Sequence, residues 1–275
     1  MKYGIAIRNM GPQSTERTIR ACVRTAEQLG YDAIFVSDHL CIPPDQTAGS
    51  GGRYLDVLAS LAFIAGMSER IRLGVSVLVL PYRPAVLTAK QVATIQELSG
   101  GRMILGVGVG WMEPEFQALG VEKRLRGKIT DETLRVLRHL FTREAEPYRG
   151  ELVSFPPFVF APRPACPPIW VGGNGEAALR RTIEFGDGWH PMLPAEKLRP
   201  ALKQLKERLR LAGRSDNIEV VVRRGLRFDD LHGAKAKVEA EIEAGASYYI
   251  LDLGRYADEK EFAAKAETFM AKIAV

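Results

Sequence analysis

The sequence predicts an α/β fold, a closed (β/α)8 barrel that forms one domain over residues 1–275 and carries loop insertions. Short apolar runs alternate with amphipathic segments along the whole chain, and several runs are almost continuously apolar, as in parallel strands with both faces buried. An open doubly wound sheet shows the same alternation, but eight strands without a dividing linker favour the closed barrel. The predicted strands span 3–8, 33–37, 71–79, 102–109, 168–172, 187–190, 218–224 and 248–253.

Helical patterns with apolar residues three and four positions apart separate these strands. Two connections, 38–54 and 144–167, are too long to be simple turns. Long connections that follow barrel strands lie at the catalytic face, so 38–54 is expected to border a site. The connection 144–167 follows a helix, and we expect it to wrap the far side of the barrel or to carry an inserted strand pair. The predicted helices span 15–30, 55–67, 84–98, 127–142, 175–185, 196–212, 233–244 and 258–273.

The composition and charge of the chain indicate which classes of binding partner to expect. The net charge of +5 comes from basic residues dispersed among acids, so we predict no nucleic-acid partner and a small-molecule substrate instead. No apolar stretch has the length of a membrane span or a signal peptide, so we expect no membrane partner and a cytoplasmic location. The three cysteines form no CxxC pair, which indicates reduced thiols and no metal site.

The end of the second predicted strand carries an acid and an imidazole, Asp38 and His39. In a barrel, catalytic residues come from the carboxyl ends of the strands. An imidazole can donate or accept a proton near neutral pH, and the acid could orient its tautomer or bind a ligand hydroxyl. Alternatively, an isolated histidine at such a position can have a purely structural role in the core or in a loop, with its hydrogen bonds made inside the protein. We predict His39 and Asp38 as the catalytic pair.

The stretch ILGVGVGWMEPEF, residues 104–116, places glycines at alternating positions of the fourth strand. Either backbone crowding in the barrel requires them, or the missing side chains let a flat ligand approach. The acids Glu113 and Glu115 follow this strand, and such a pair on a turn is expected to be solvated. Neither acid is predicted to be catalytic.

A second glycine-rich stretch, IWVGGNGEAALRR at 169–181, runs from a strand into a helical pattern. Free backbone N–H groups and the positive end of a helix dipole meet there, which favours a phosphate. A plain tight turn is the alternative. A barrel with a flat pocket and a phosphate end suits a flavin.

Five motifs together resemble the luciferase-like monooxygenase superfamily, and within it the members that use the deazaflavin coenzyme F-420. The resemblance covers nearly the whole chain and implies a TIM-type barrel, a flavin or deazaflavin in the carboxyl-terminal mouth, and a homodimer. The motifs are SDH at 37–39, RLGVSVLVLPYRP at 72–84, LSGGRMILGVGVGWMEPEFQALG at 98–120, PPIWVGGNGEAALRR at 167–181 and FGDGW at 185–189.

The resemblance also implies roles for individual residues. Asp38 and His39 would contact the ring system or the substrate, and a strand bulge with a cis peptide at Ser76-Val77 would support the ring. Trp111 and His190 are the predicted substrate contacts. The remaining predicted coenzyme contacts are Gly106, Val107 and Gly108 beside the ring, and Gly172, Gly173 and Asn174 at the phosphate.

The predicted function is that of an oxidoreductase that moves a hydride between coenzyme F-420 and a small organic substrate. The alternatives are an FMN-dependent monooxygenase that uses reduced flavin and O₂, and a homologue that binds the coenzyme without turnover. Pro43 and Trp111 stand where the sugar-phosphate dehydrogenases of the superfamily carry tryptophan and glutamate, which argues against glucose 6-phosphate. Arg8, at the end of the first strand, is either an anion contact or a rim charge.

Overall fold

Eight parallel strands close into a barrel in the computed structural model, which describes all 275 residues. The barrel strands follow one another in chain order, and β1 pairs with β10 to complete the ring. The predicted (β/α)8 barrel is confirmed. The strands are β1 (Lys2–Ala6), β2 (Ala33–Val36), β3 (Arg72–Val79), β4 (Met103–Gly108), β5 (Tyr148–Arg149), β6 (Ser154–Phe155), β7 (Ile169–Gly172), β8 (Gly188–His190), β9 (Glu219–Gly225) and β10 (Tyr248–Asp252).

The two strands outside the barrel, β5 and β6, form a separate antiparallel pair. They lie within the connection 144–167, so the inserted strand pair expected there is confirmed. The tip of this pair packs on α5 (Arg126–Thr142), where Glu132 accepts the N–H groups of Leu152 and Val153.

Helices surround the barrel at all eight predicted places, and one short helix, α4, had not been predicted. Side chains of Thr15, Asp56 and Asp230 accept backbone N–H groups at the starts of α1, α2 and α8, which satisfies donors that a helix leaves free. None of the helices combines the length and apolar character that crossing a membrane requires. The helices are α1 (Glu16–Gln28), α2 (Val57–Met67), α3 (Ala85–Leu98), α4 (Glu113–Ala118), α5 (Arg126–Thr142), α6 (Glu176–Phe185), α7 (Ala195–Leu211), α8 (Leu231–Glu243) and α9 (Glu259–Thr268).

Large aromatic side chains fill the barrel interior. Phe35, Trp170 and Tyr248 pack against one another, with ring centroids 4.8 to 6.0 Å apart. Glycines on neighbouring strands make the room, because a Cβ on Gly74 would overlap the ring of Phe35 and one on Gly188 the ring of Trp170. The interior is therefore a packed core, and the open space lies above it, at the carboxyl ends of the strands.

Strand β3 is irregular where it approaches the mouth. Its pairing with β4 shifts register between Val75 and Leu78, and the peptide bond between Ser76 and Val77 is cis. This is the bulge, and the cis peptide, that the resemblance implies. As a result Ser76 and Val77 both reach the space above the core.

Candidate functional site

A cavity of about 560 Å³ opens at the carboxyl ends of the barrel strands, within the usual range for small-molecule sites. It brings together most of the predicted site residues, although they are spread over more than 150 positions of the chain. Those that line it are Asp38, His39, Ser76, Val77, Gly108, Trp111, Gly172, Gly173, Asn174 and His190.

Two predicted coenzyme contacts do not line the cavity. A Cβ on Gly106 would overlap the carbonyl oxygen of Val75, so this glycine permits the close approach of β3 and β4. The next side chain, Val107, points to the other face of the strand and is buried in the apolar core that joins barrel and helices. The structure therefore does not bring Gly106 and Val107 into the cavity with the other predicted coenzyme contacts.

His39 presents one ring nitrogen to the cavity. Its Nδ1 lies 3.1 Å from Oε2 of Glu115, whereas Nε2 has no hydrogen-bond partner within the protein. Because an ionised carboxylate can only accept, Nδ1 donates, and in the neutral ring Nε2 carries the free lone pair. His39 is placed to exchange a proton through Nε2.

Glu115 is fully buried in α4 and accepts four hydrogen bonds. Besides His39, its donors are the N–H groups of Leu40 and Cys41 at 2.5 and 3.2 Å and the hydroxyl of Tyr82 at 2.7 Å. Burial alone would raise the pKa of Glu115, but these donors outweigh it and hold the pKa below its usual value. The expectation that this acid is solvated was wrong, because α4 turns it inward.

Asp38 does not orient His39, contrary to the prediction. Its buried carboxylate makes two bonds to the guanidinium of Arg83, at 2.7 and 2.9 Å, and accepts the N–H of Val79 at 2.9 Å. Burial alone would lower the pKa of Arg83, but its bonds to Asp38 raise it, so the guanidinium remains charged. Asp38 fixes the end of β2 to the end of β3, and its neighbour His39 is oriented by Glu115 instead.

The floor of the cavity is a hydrogen-bonded network around His190. Nδ1 of His190 donates to the carbonyl of Val221 at 3.0 Å, and burial lowers the pKa of this ring to about 4, so it is neutral. Its Nε2 then accepts from the hydroxyl of Ser76 at 2.8 Å. Arg223 donates to the carbonyl of Ser76 at 3.0 Å and pairs with Asp252 at 2.8 Å. Both ring nitrogens of His190 are engaged, so only its carbon edge is left for a ligand.

Another part of the cavity wall is formed by glycines, and α6 follows it directly in the chain. A Cβ on Gly108 would lie 2.6 Å from Cγ2 of Val77, and one on Gly172 would lie 3.1 Å from the carbonyl oxygen of Val107. Both interpretations of the glycines therefore hold at Gly108, where crowding requires glycine and the bare backbone faces the cavity. The first turn of α6 begins two residues after Asn174, whose Oδ1 accepts the N–H of Met192 at 2.7 Å.

The rim of the mouth is aromatic on one side. The ring of His39 stands edge-on to Trp111 at 6.2 Å and to Tyr54 at 5.1 Å. Trp111 is 63% exposed. Arg8 donates to the carbonyls of Gly49 and Gly254 and does not line the cavity. Of its two possible roles, the structure therefore favours a charge at the rim of the barrel over an anion contact.

A profile of the luciferase-like monooxygenase family matches residues 1–272. The chain belongs to this family. An uncharacterised protein from Mycobacterium tuberculosis is 30% identical over 213 residues, or 72% of this chain and 74% of that protein. An F-420-dependent glucose-6-phosphate dehydrogenase from Nakamurella multipartita is 32% identical over 217 residues, or 74% and 61% of the two chains.

Solved structures share the fold of this luciferase-like protein. A monooxygenase from Streptomyces bottropensis superposes with a TM-score of 0.84 at 17% identity and covers 99% of this chain and 98% of its own. An F-420-dependent secondary alcohol dehydrogenase, solved with an F-420–acetone adduct, gives 0.82 at 16% identity with the same coverage. One of this chain's relatives by sequence is thus named as F-420-dependent, and its structural neighbours include an F-420-dependent enzyme and one solved with FMN.

Several residues of the luciferase-like site were missed from the sequence. The sequence pattern indicates a solvated acid at Glu115 and assigns no role to Tyr82, Arg223 or Asp252. Tyr54 lies in the connection 38–54, which was expected to border the site, so its position could have been anticipated. The other missed residues belong to the site because strands that are distant in the sequence lie close together in the fold, and the sequence alone does not show these contacts.

Proposed function

We propose that this protein is an oxidoreductase that transfers a hydride between coenzyme F-420 and a small organic substrate. The observation that carries the proposal is the pairing of His39 with the buried, ionised Glu115, which leaves Nε2 of His39 facing the cavity. A relative of 32% identity is named as F-420-dependent, which favours the deazaflavin over FMN.

The cavity residues fit a deazaflavin. Bare backbone at Gly108 and Gly172 faces the space beside Val77, where any Cβ would crowd the wall, so a flat ring can lie close to the strands. Beyond Gly173 and Asn174, the N-terminal turn of α6 supplies N–H groups and a positive dipole end that suit the phosphate. The proposed ring position lies in the cavity, and the proposed phosphate position lies at its edge, where Gly173 and Asn174 lead into α6.

A bound deazaflavin supplies or accepts a hydride. Reduction of a carbonyl places negative charge on the substrate oxygen, and Nε2 of protonated His39 can donate the proton that neutralises it. In the direction of alcohol oxidation, Nε2 of the neutral ring accepts the hydroxyl proton. In both directions Glu115 accepts from Nδ1, which leaves Nε2 as the ring nitrogen that can exchange the proton.

The remaining polar residues hold the walls in place. The Asp38–Arg83 pair fixes the ends of β2 and β3, and the Ser76–His190 bond fixes the bulge of β3 to the end of β8. Because these groups are bonded to one another before any ligand arrives, little reorganisation is needed on binding.

Titration with oxidised F-420 and, separately, with FMN tests the coenzyme, followed by visible absorbance. We expect F-420 to bind more tightly. Asn174→Asp keeps the acceptor for Met192 but puts a negative charge near the phosphate position, so F-420 should bind about tenfold more weakly, a cost of about 1.4 kcal/mol. Asn217→Asp, before β9 at the other end of the barrel, adds the same charge and should have no effect.

Tight binding of FMN without measurable affinity for F-420 would contradict this proposal and favour the FMN-dependent monooxygenase. Equal effects of the two asparagine variants would show that the coenzyme phosphate does not lie at α6.

A further inference from the structure

We infer that the substrate of this site is uncharged and mainly apolar, and that it binds at the mouth against Trp111 and Met192. The inference rests on the proposed function and specifies its substrate class. It follows from two features of the cavity, the pairing of its charges and the exposure of its rim.

Every charged side chain that lines the cavity has a partner within the protein. The carboxylate of Asp38 is bonded twice to Arg83. The guanidinium of Arg223 is paired with Asp252 and also donates to Ser37 and Ser76. No cation is left to receive a phosphate or carboxylate of a substrate, so a charged substrate would lose part of its hydration at the mouth without gaining an ion pair.

The rim offers large apolar surfaces instead. Met192 is 77% exposed and Trp111 is 63% exposed, and both line the cavity. Trp111 makes an edge contact with His39, which leaves much of its ring free, and an aromatic ring of this kind contributes large contact area. A substrate held here would have its carbonyl near Nε2 of His39 and its apolar part against the indole.

A pair of matched ketones tests the substrate class. Acetophenone and 4-acetylbenzoate carry the same reacting group but differ by one carboxylate, and glucose 6-phosphate adds a polar dianion. Binding to the coenzyme-loaded protein is measured by saturation-transfer NMR. We expect acetophenone to bind about tenfold more tightly than 4-acetylbenzoate, because the carboxylate finds no cation, and glucose 6-phosphate to show no binding.

Variants of the rim test the position. Trp111→Ala should weaken acetophenone binding several-fold, and Trp111→Phe should retain most of it, with coenzyme affinity unchanged in both. Leu98→Ala removes an apolar side chain that is 68% exposed at the C-terminal end of α3, away from the cavity, and should change nothing.

Equal or tighter binding of 4-acetylbenzoate or glucose 6-phosphate would overturn the inference, as would undetectable binding of acetophenone at millimolar concentrations. Unchanged acetophenone affinity in Trp111→Ala would overturn its position. Coenzyme binding is measured separately by visible absorbance. If F-420 does not bind, the proposed function is contradicted. The ketones would then be compared on the coenzyme-free protein.

Discussion

The contact between His39 and Glu115 joins residues 76 positions apart in the chain. His39 could be predicted because it directly follows a strand, where barrel sites collect their side chains. Glu115 could not, because an acid after a glycine strand is usually solvated, and only the short helix α4 turns it into the space beside β2. For the same reason the neighbour in sequence, Asp38, was wrongly given the orienting role.

Loss of the Glu115 charge should slow proton transfer at His39. In Glu115→Gln the amide oxygen can still accept from Nδ1 if the NH2 group faces the N–H groups of Leu40 and Cys41, which then lose their acceptor, and the imidazolium loses its buried counter-charge. The single-turnover rate should fall about tenfold and the pH–rate profile should move, while His39→Ala should lose about 100-fold or more. Both variants should keep the coenzyme affinity of the parent protein.

Glu113→Gln is the matched control for this change. Glu113 lies in the same helix but is exposed, with its side chain paired to Lys123 at 3.1 Å. Equal losses in Glu113→Gln and Glu115→Gln, or a loss explained by coenzyme affinity alone, would contradict the positioning role of Glu115.

At the scale of elements, apolar runs were sufficient to locate all eight barrel strands, because a strand buried on both faces leaves few polar positions. The helix α4 was missed because six residues are too few to show a helical period. The glycines of β4 left two interpretations open, since a sequence does not show what lies across the neighbouring strand. At Gly106 crowding requires the glycine, because a Cβ there would overlap the backbone of Val75.

Gly106→Ala should destabilise the barrel, because its Cβ would overlap a backbone carbonyl that cannot rotate away. We expect the free energy of unfolding to fall by about 3 kcal/mol in urea denaturation. Gly66→Ala is the control, since a Cβ there meets nothing within 4 Å and α2 should gain about 0.5–1 kcal/mol from the better helix former. Similar losses in both variants would show that overlap with Val75 is not the cause.

At the scale of the whole molecule, the alternation of strands and helices was enough to predict a closed barrel, whereas composition and net charge indicated little about its site. The site depends on which residues the closure brings together. The network of Ser76, His190 and Arg223 spans three strands, and His190 is buried within it as a neutral ring. That burial makes the stability of the barrel depend on pH.

Acidification below pH 6.5 should destabilise the protein in part through His190. Its pKa is lowered by burial from 6.5 to about 4, so over this interval the unfolded chain binds a proton that the folded protein does not. This contribution is complete above pH 6.5 and decreases by about 3 kcal/mol toward pH 4. Urea denaturation of the parent and of His190→Gln at several pH values gives the difference, and parallel pH dependences of the two would contradict a neutral, buried His190.

The most direct test of hydride transfer uses reduced F-420 that carries deuterium at both hydrogen positions of its reactive ring carbon. The loaded protein is mixed with uncharged aryl and alkyl ketones without oxygen, and the product alcohols are analysed by mass spectrometry. The proposed function predicts one deuterium on the carbinol carbon and recovery of the absorbance of oxidised F-420. Product that forms only with O₂ and carries no deuterium would contradict it.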